Sequence, residues 1–442
     1  MTDDTDTPRK GRAVPSDRLS RMLRFGGLAG GIAGGMLWDG AQQLASGKRP
    51  GLSDLLMTPA NAIKVTNQLA QLRGAAMKVG QLLSMDAGEL LPPELAQIMA
   101  RLRADADPMP PKQLQSVLNR QWGTGWLGQF SQFNVRPIAA ASIGQVHRAR
   151  TKDGRDLAIK VQYPGVRASI DSDVDNVASL LRLSRQLPAS LDLAPLLAEA
   201  KRQLHQEADY TREGQFLTEF GGLLHDAPEF LVPRLHPDLS SGDVLAMDFI
   251  EGVAVDSLTN APQAVRDRII TLLIGLLLRE LFAFQLMQTD PNFANYRYNL
   301  TTNQLVLLDF GATRAFDLTV AQDFRALMNA GINNDRDSIR AAMIRIGFFN
   351  AQTPVKHQDT VLAMFDVAMQ PLRMDAEFDF GTTDLATQLR DMGMDLGTSR
   401  DFWHIPPIDA LFLQRKFAGT YLLAAKLRAR VNVRQLLETH RG

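Results

Sequence analysis

The run "GQVHRARTKDGRDLAIKVQY", residues 144–163, changes the hydrophobic period of the chain from that of helices to that of strands. Its two halves are β-branched and alternating, and the "KDG" between them is a hairpin turn signal. Everything else has to be built around that hairpin. Before it, Thr58-Pro59 offers an N-cap and a first-turn proline, and Leu69, Leu72, Ala76, Val79 and Leu83 recur at helical spacing. "LLPPEL" (90–95) and "DPMPPKQL" (107–114) punctuate that helical pattern and restart it. After Pro164-Gly165, helical patterns cover 168–187 and 193–220, and "DVLAMDFIEG" reads as a strand entering a loop. Residues 266–287, "RDRIITLLIGLLLRELFAFQLM", have the length of one strongly buried helix, and Arg279-Glu280 argues against its insertion in a membrane. From 317 to 442 the pattern is helical again. The expected class is α+β, a small sheet followed by a mostly helical lobe.

Two short loops carry the chemistry. "QTDPNFAN" places Asp290 and Asn295 five apart, and "LLDFGA" places Asp309 before Phe310 and Gly311. A protein-kinase catalytic loop has this aspartate for the phosphoryl acceptor, an asparagine five on for magnesium, and a D-F-G after a short hairpin. Asp309 and Asn295 are therefore the candidate Mg²⁺ ligands, since hard cations favour such oxygens, and Asp290 is the candidate group acting on the acceptor. Upstream, "LAIK" ends in Lys160, the strand lysine that pairs with phosphates, and Glu213 in the following helical region can be its partner. Each piece alone is weak, but in this order they support one another. The tripeptide "APE" at 227–229 matches a kinase motif yet precedes the D-F-G, so it is a coincidence.

Composition narrows the function classes. The chain has 442 residues, 45% of them hydrophobic, enough for a large core and two or three structural units. Lys plus Arg equals Asp plus Glu at 48 each, so no global field draws it to nucleic acid. With no cysteine, disulfides, thiolate nucleophiles and Cys-based metal sites are excluded. The opening "MTDDTDTPRKGR" is acidic and lacks the apolar core of a secretory signal, and it reads as a disordered tail. "FGGLAGGIAGGMLW", Phe25 to Trp38, has no charge, but its 14 residues fall short of the roughly 20 that span a bilayer. Glycines at 26, 30, 34 and at 27, 31, 35 form two interleaved G-x-x-x-G series, which suit a helix packed against lipid or a partner; a flexible linker is the alternative.

Taken jointly, "KVGQ" (78–81), "AAASIGQVH" (139–147), "EADYTRE" (207–213), "TDPNFAN" and "LLDFGATR" resemble the motif set of the UbiB/ADCK family of atypical kinase-like proteins of ubiquinone biosynthesis, over roughly residues 50–435. The resemblance implies a two-lobed protein-kinase-like fold with a family-specific N-terminal helical extension. The implied division is 1–21 a disordered tail, 22–46 a glycine-rich membrane-associating helix, 47–130 the K-x-G-Q helical extension, 131–251 a kinase-like N-lobe and 252–442 a helical C-lobe. It implies ATP or ADP with Mg²⁺ as cofactors. Lys78 and Gln81 become the K-x-G-Q residues, Glu207 and Asp209 the E-x-D pair, and Glu213 the partner of Lys160. Lys78 is expected to meet Glu207 or Asp209, in the space a protein kinase uses for peptide. Ala139, Ala140, Ala141 and Ser142 take the place of the flexible glycine-rich loop, and Met247, Asp248, Phe249 and Ile250 read as the adenine hinge. Gln288-Thr289 stands where kinases have His-Arg, and no A-P-E follows Gly311, so a peptide platform is not expected.

The implied function is an atypical kinase or ATPase that supports ubiquinone biosynthesis. The alternatives are a nucleotide-gated scaffold for quinone-biosynthesis enzymes and a small-molecule kinase. The implied partners are adenine nucleotide, membrane lipid or a quinone precursor, and ubiquinone-biosynthesis enzymes, with a homodimer compatible and no nucleic acid. The charged C-terminus looks closer to the mitochondrial-type branch, whereas the acidic first residues favour a bacterial chain. The expected place is accordingly peripheral, on the cytoplasmic side of a bacterial inner membrane.

Overall fold

The computed structural model describes Ala75, Lys78, Val79 and residues 109–141, 143–183, 193–290, 292–398 and 406–440. The expected tail, the glycine segment 22–46, Gln81 and Ser142 lie outside the described residues. The chain forms two compact units. The described residues up to 212 belong to the first together with 235–249, and 213–234 with those from 250 onward belong to the second.

In the first unit, helix α1 (Pro111–Trp122) opens with proline in its first turn, where the missing N–H costs nothing, and ends at Gly123 with φ +82°. Strands β1 (Phe130–Phe133), β2 (Ala139–Ala140), β3 (Gly144–Thr151) and β4 (Asp156–Gln162) follow. The β3–β4 hairpin closes through Gly154 at φ +95°, a conformation its "KDG" turn was expected to need. β4 is buried on both faces. Leu157, Ile159 and Val161 join Leu114, Val117, Leu118, Trp126 and Phe130 in one cluster, so α1 and the aromatic turn after it cover that side. Each such buried side chain stabilises the unit by about 1.5–3 kcal/mol. The sequence ahead of α1 is tied down by polar contacts: Met109 N donates to Gln145 Oε1 (2.8 Å), whose amide nitrogen lies 2.9 Å from His147 Nε2. His147 Nδ1 lies 2.8 Å from the Asn134 carbonyl, which can only accept, so Nδ1 carries the proton and Nε2 accepts from Gln145. Burial lowers the His147 pKa and keeps the ring neutral.

Helices α2 (Val166–Leu183), α3 (Ala194–Glu207) and α4 (Tyr210–Leu223) come next, and the division between the units falls within α4. The single pattern expected over 193–220 is therefore two helices. They break at Ala208-Asp209, where Asp209 Oδ1 accepts from Arg212 N (3.2 Å) and caps α4. Phe230–Leu231 (β5) belongs to the second unit, while Val244–Asp248 (β6) completes the first unit's antiparallel sheet, in the order β1-β3-β4-β6 with β2 also on β3.

The second unit continues with β7 (Val253–Ala254) and helix α5 (Gln263–Arg279). The one long helix expected over 266–287 is corrected here. After Arg279 the backbone widens into a π turn over Glu280–Phe284, and Gln285 takes φ +51°. The chain then leaves as strand β8 (Leu286–Gln288). A largely apolar run hides such a turn, because leucines and phenylalanines continue through it at both helical and strand spacing. Strands β9 (Tyr296–Asn299), β10 (Gln304–Leu307) and β11 (Thr313–Ala315) follow; β11 pairs with β8, and β9 and β10 lie in a four-stranded sheet with β5 and β7. The remainder is helical as expected: α6 (Leu318–Ile332), α7 (Arg336–Ile346), α8 (Val355–Ala368), α9 (Gln370–Arg373), α10 (Leu385–Thr398), α11 (Ile408–Leu427) and α12 (Val433–Glu438). A two-stranded pair, Phe378–Asp379 with Arg430–Val431, interrupts that run. Among the described residues no helix is long and apolar enough to cross a membrane.

One glycine in the sheet is sterically required. A Cβ on Gly144 would overlap the Val161 carbonyl and sit 2.9 Å from the Tyr210 hydroxyl. Gly144→Ala is therefore expected to push β3 from β4 and lower stability by about 1–3 kcal/mol, the usual cost of overpacking. Urea unfolding of the full chain checks this, and an unchanged midpoint would show that the strands part without strain.

Candidate functional site

Within the first unit, β4 carries Lys160 in register with Leu245 of β6 and Val146 of β3. The side chain is only 7% exposed, and its ammonium lies 5.1 Å from the centre of the Tyr210 ring, a cation–π distance. Ala139 and Ala140 form the exposed strand β2 against Val146 and Gln145, and Ala141 N donates to Gly144 O (2.9 Å) to close the turn. Lys78 is buried and forms an ion pair with Glu207, the last residue of α3. An ammonium taken out of water needs such a carboxylate. Asp209 spends one oxygen on capping α4. Glu213, in the first turn of α4, is 1% exposed.

At the end of β6, where the sequence placed the adenine hinge, the ladder decides which backbone groups are available. Phe249 N donates to Asp156 O (2.8 Å), continuing the β6–β4 pairing in which Met247 faces Ala158. Alternation along an antiparallel strand then turns the Asp248 carbonyl away from β4. The amide of Phe249 is already engaged, which the sequence did not reveal. The Asp248 carboxylate accepts from His236 Nε2 at 2.7 Å, and Arg148 stacks on the Phe249 ring, 3.9 Å from its centre. Ile250 opens the next stretch of the second unit.

In the second unit, the loop after β8 and the D-F-G segment are stitched together residue by residue. Thr289 Oγ1 donates to Ala312 O (2.6 Å), and Leu308 N donates to Asn295 O (3.0 Å). Gln288 Nε2 donates to the Asp309 carbonyl. Asn295 Nδ2 donates to Asp290 Oδ2 (3.3 Å), which leaves the asparagine's amide oxygen as the atom that could hold a cation. Asp290 Oδ1 accepts from Asn292 N (3.3 Å), and Asp309 Oδ1 accepts from Gly311 N (3.0 Å). Phe310 is buried, with its ring centre 5.0 Å from that of Phe220. Among the described residues no cluster of three or more His, Cys, Asp or Glu could hold a metal alone. One amide oxygen and one carboxylate suit Mg²⁺ that keeps water and phosphate oxygens as its other ligands.

Three residues here escaped the sequence reading. Glu280 and Lys416, far apart in the sequence, form a buried ion pair at 3.2 Å, with side-chain exposures of 0% and 5%. Lys416 Nζ also donates to Gln288 O (2.6 Å) and to the Tyr296 hydroxyl (2.8 Å), and Gln288 N donates to Glu280 Oε1 (3.1 Å). Burial works against the Lys416 charge, but Glu280 and Tyr296 outweigh it and hold the ammonium protonated. Burial pushes the Glu280 carboxyl up, against the pull of Lys416 and of the Gln288 N–H. Burial also pushes the Tyr296 hydroxyl up to about 12, with Asp290 adding to the rise, so the phenol keeps its proton. A charged residue inside the apolar run "LLLRELFAF" was the available signal for Glu280.

Comparison with known proteins follows this geometry. Residues 101–343 match the ABC1 atypical kinase-like domain. The chain is 35% identical over 432 residues to atypical kinase COQ8, mitochondrial, of Saccharomyces cerevisiae, covering 97% of this chain and 86% of that one. It is 36% identical over 431 residues to atypical kinase COQ8B, mitochondrial, of Danio rerio, covering 97% of this chain and 69% of that one. Among solved structures, the Rv3197–erythromycin complex from Mycobacterium tuberculosis superimposes with a TM-score of 0.59 at 27% identity, covering 85% of this chain and 95% of that one. These relatives bear out the resemblance to the mitochondrial-type branch, and the match to a family of kinase-like enzymes bears out the two-lobed kinase-like class. They overturn one expectation. Relatives matching nearly the whole chain are named as mitochondrial, so the place on the cytoplasmic side of a bacterial inner membrane, inferred from a few acidic residues at the start, does not stand.

Proposed function

Because the chain belongs to the ABC1 atypical kinase-like family, we propose that it is an Mg²⁺–ATP-dependent phosphotransferase or ATPase whose turnover supports ubiquinone biosynthesis. The observation that carries this is the stitching of the Asp290–Asn295 loop to the D-F-G segment, through Gln288 to the Asp309 carbonyl and through Leu308 to Asn295. Asn295 and Asp309 would hold Mg²⁺, which when bound draws charge from phosphate oxygens. Asp290 takes the proton of the attacking hydroxyl or water. Hydrogen bonds from Asn295 Nδ2 and Asn292 N orient its two carboxylate oxygens, each of which keeps a lone pair for that proton. Lys160, with Glu213 as its proposed partner, bonds phosphate oxygens, and burial makes that charge count for more than it would in water. Adenine is read by backbone groups of Asp248 and Ile250, since the Phe249 amide is spent on β4.

The substrate side points away from peptide. Lys78 is locked to Glu207 rather than presented to a chain, and no A-P-E segment follows Gly311. Water or a quinone precursor is therefore the acceptor class. Steady-state phosphate release from ATP by the full chain, with and without a prenylated phenolic precursor in detergent micelles, tests this. The expected result is Mg²⁺-dependent release that the precursor stimulates. Nucleotide binding without release would favour the scaffold, and neither binding nor release would overturn the proposal.

A further inference from the structure

The geometry points to the buried Lys416–Glu280 pair as the anchor that sets the spacing of Asn295 and Asp309, which makes Lys416 a positioning residue for Mg²⁺ binding. This rests on the reading of Asn295 and Asp309 as metal ligands. Both backbone groups of Gln288 are held by the one pair: its N–H by Glu280 Oε1 and its carbonyl by Lys416 Nζ. The Gln288 side chain in turn holds the carbonyl of Asp309. On the other side of the loop, Lys416 holds the hydroxyl of Tyr296, the residue that follows Asn295. Lys416 thereby donates to Gln288 and Tyr296, at 2.6 and 2.8 Å, and its charge is paired with Glu280 at 3.2 Å. Each proposed ligand is tied to the same ammonium through one intervening residue.

Stability does not account for this arrangement. Two charges taken out of water cost about as much as their attraction returns, and apolar replacements of buried ion pairs are often neutral or better. Packing alone does not fix the corner either, since Leu273, Leu276, Phe293, Tyr296, Lys416 and Thr420 line a small cavity there. Tyr296 is held on that side by its hydrogen bond. What the pair supplies is direction: a rigid helix, α11, sets where the two ends of the loop sit. Residues that orient metal ligands from behind govern affinity for the ion, typically by 10–100-fold.

The test uses the full chain with Glu280→Gln/Lys416→Met. That variant removes both charges together, keeps an acceptor for the Gln288 N–H and withdraws the ammonium from Gln288 O and Tyr296. The Mg²⁺ concentration that half-saturates nucleotide binding is expected to rise roughly 10–100-fold. Affinity for nucleotide in EDTA should stay within about twofold, because no group proposed to touch adenine or phosphate is altered. Hydrogen exchange should quicken in 286–296 and 308–313 and not in α6 and α7. Tyr296→Phe, which removes one bond and keeps the ring, should shift the Mg²⁺ requirement the same way by a smaller factor, and it stands in if the double variant does not fold. An unchanged Mg²⁺ requirement with unchanged exchange in either folded variant overturns the inference. Faster exchange in a background where the unaltered chain shows no Mg²⁺-dependent binding upholds the positioning of the loop and instead overturns the assignment of Asn295 and Asp309.

Discussion

Asp309→Asn is expected to abolish the Mg²⁺-dependent part of nucleotide binding while leaving the fold in place. The substitution removes the one formal charge among the proposed protein ligands, at a site where a hard cation is selected by charged oxygen. A neutral amide oxygen in its place lowers affinity for the ion by at least about the 10–100-fold that even indirect supports of a metal command. The fold should tolerate it. Asn retains an acceptor for Gly311 N, the neighbouring Phe310 stays packed on Phe220, and the carbonyl bonded by Gln288 is backbone. Calorimetric titration of ATP with Mg²⁺ and then with EDTA separates the two parts of the affinity. Equal Mg²⁺–ATP affinity in the variant and the unaltered chain would remove Asp309 from the metal.

Asp290→Asn is expected to lower turnover by about 10²–10⁴-fold, the span typical of losing a general base, with nucleotide binding nearly intact. The amide keeps an oxygen for Asn292 N, so the loop's path survives, but it cannot take a proton. Its new NH₂ also cannot accept from Asn295 Nδ2, so Asn295 is freed to turn. The comparison of rate with binding is therefore the informative one. If binding and turnover fall together, Asp290 is holding the metal rather than acting on the acceptor.

Much of this was legible in the sequence, for physical reasons that differ from place to place. The β3–β4 hairpin was legible because a turn needing positive φ announced itself with glycine at 154 and because side chains alternate across strands. The order of Lys160, Asp290, Asn295 and Asp309 was legible because ligand chemistry restricts residue type at fixed spacing. The turn at Glu280–Phe284 was not, since Gln285 adopts φ +51° without the glycine that would mark it. Lys416 was not legible either. In "RKFAGTYLL" a lysine beside an arginine reads as a solvated face, and only the fold reveals that this one is buried beneath the loop. Likewise, Phe249 looked like any other hinge residue until the ladder showed its amide committed to Asp156. Local patterns report local geometry, whereas one support of the site comes from far along the chain: Lys416 lies 128 residues from Gln288.

The central claim is that Asn295 and Asp309 together hold the metal of a nucleotide complex. A crystal structure of the full chain grown with Mn²⁺ and a non-hydrolysable ATP analogue, with the ion located by its anomalous scattering, tests it most directly. The account predicts a manganese peak in direct contact with the amide oxygen of Asn295, the carboxylate of Asp309 and phosphate oxygens. A metal held by other side chains, or nucleotide bound with neither residue touching the ion, would contradict it.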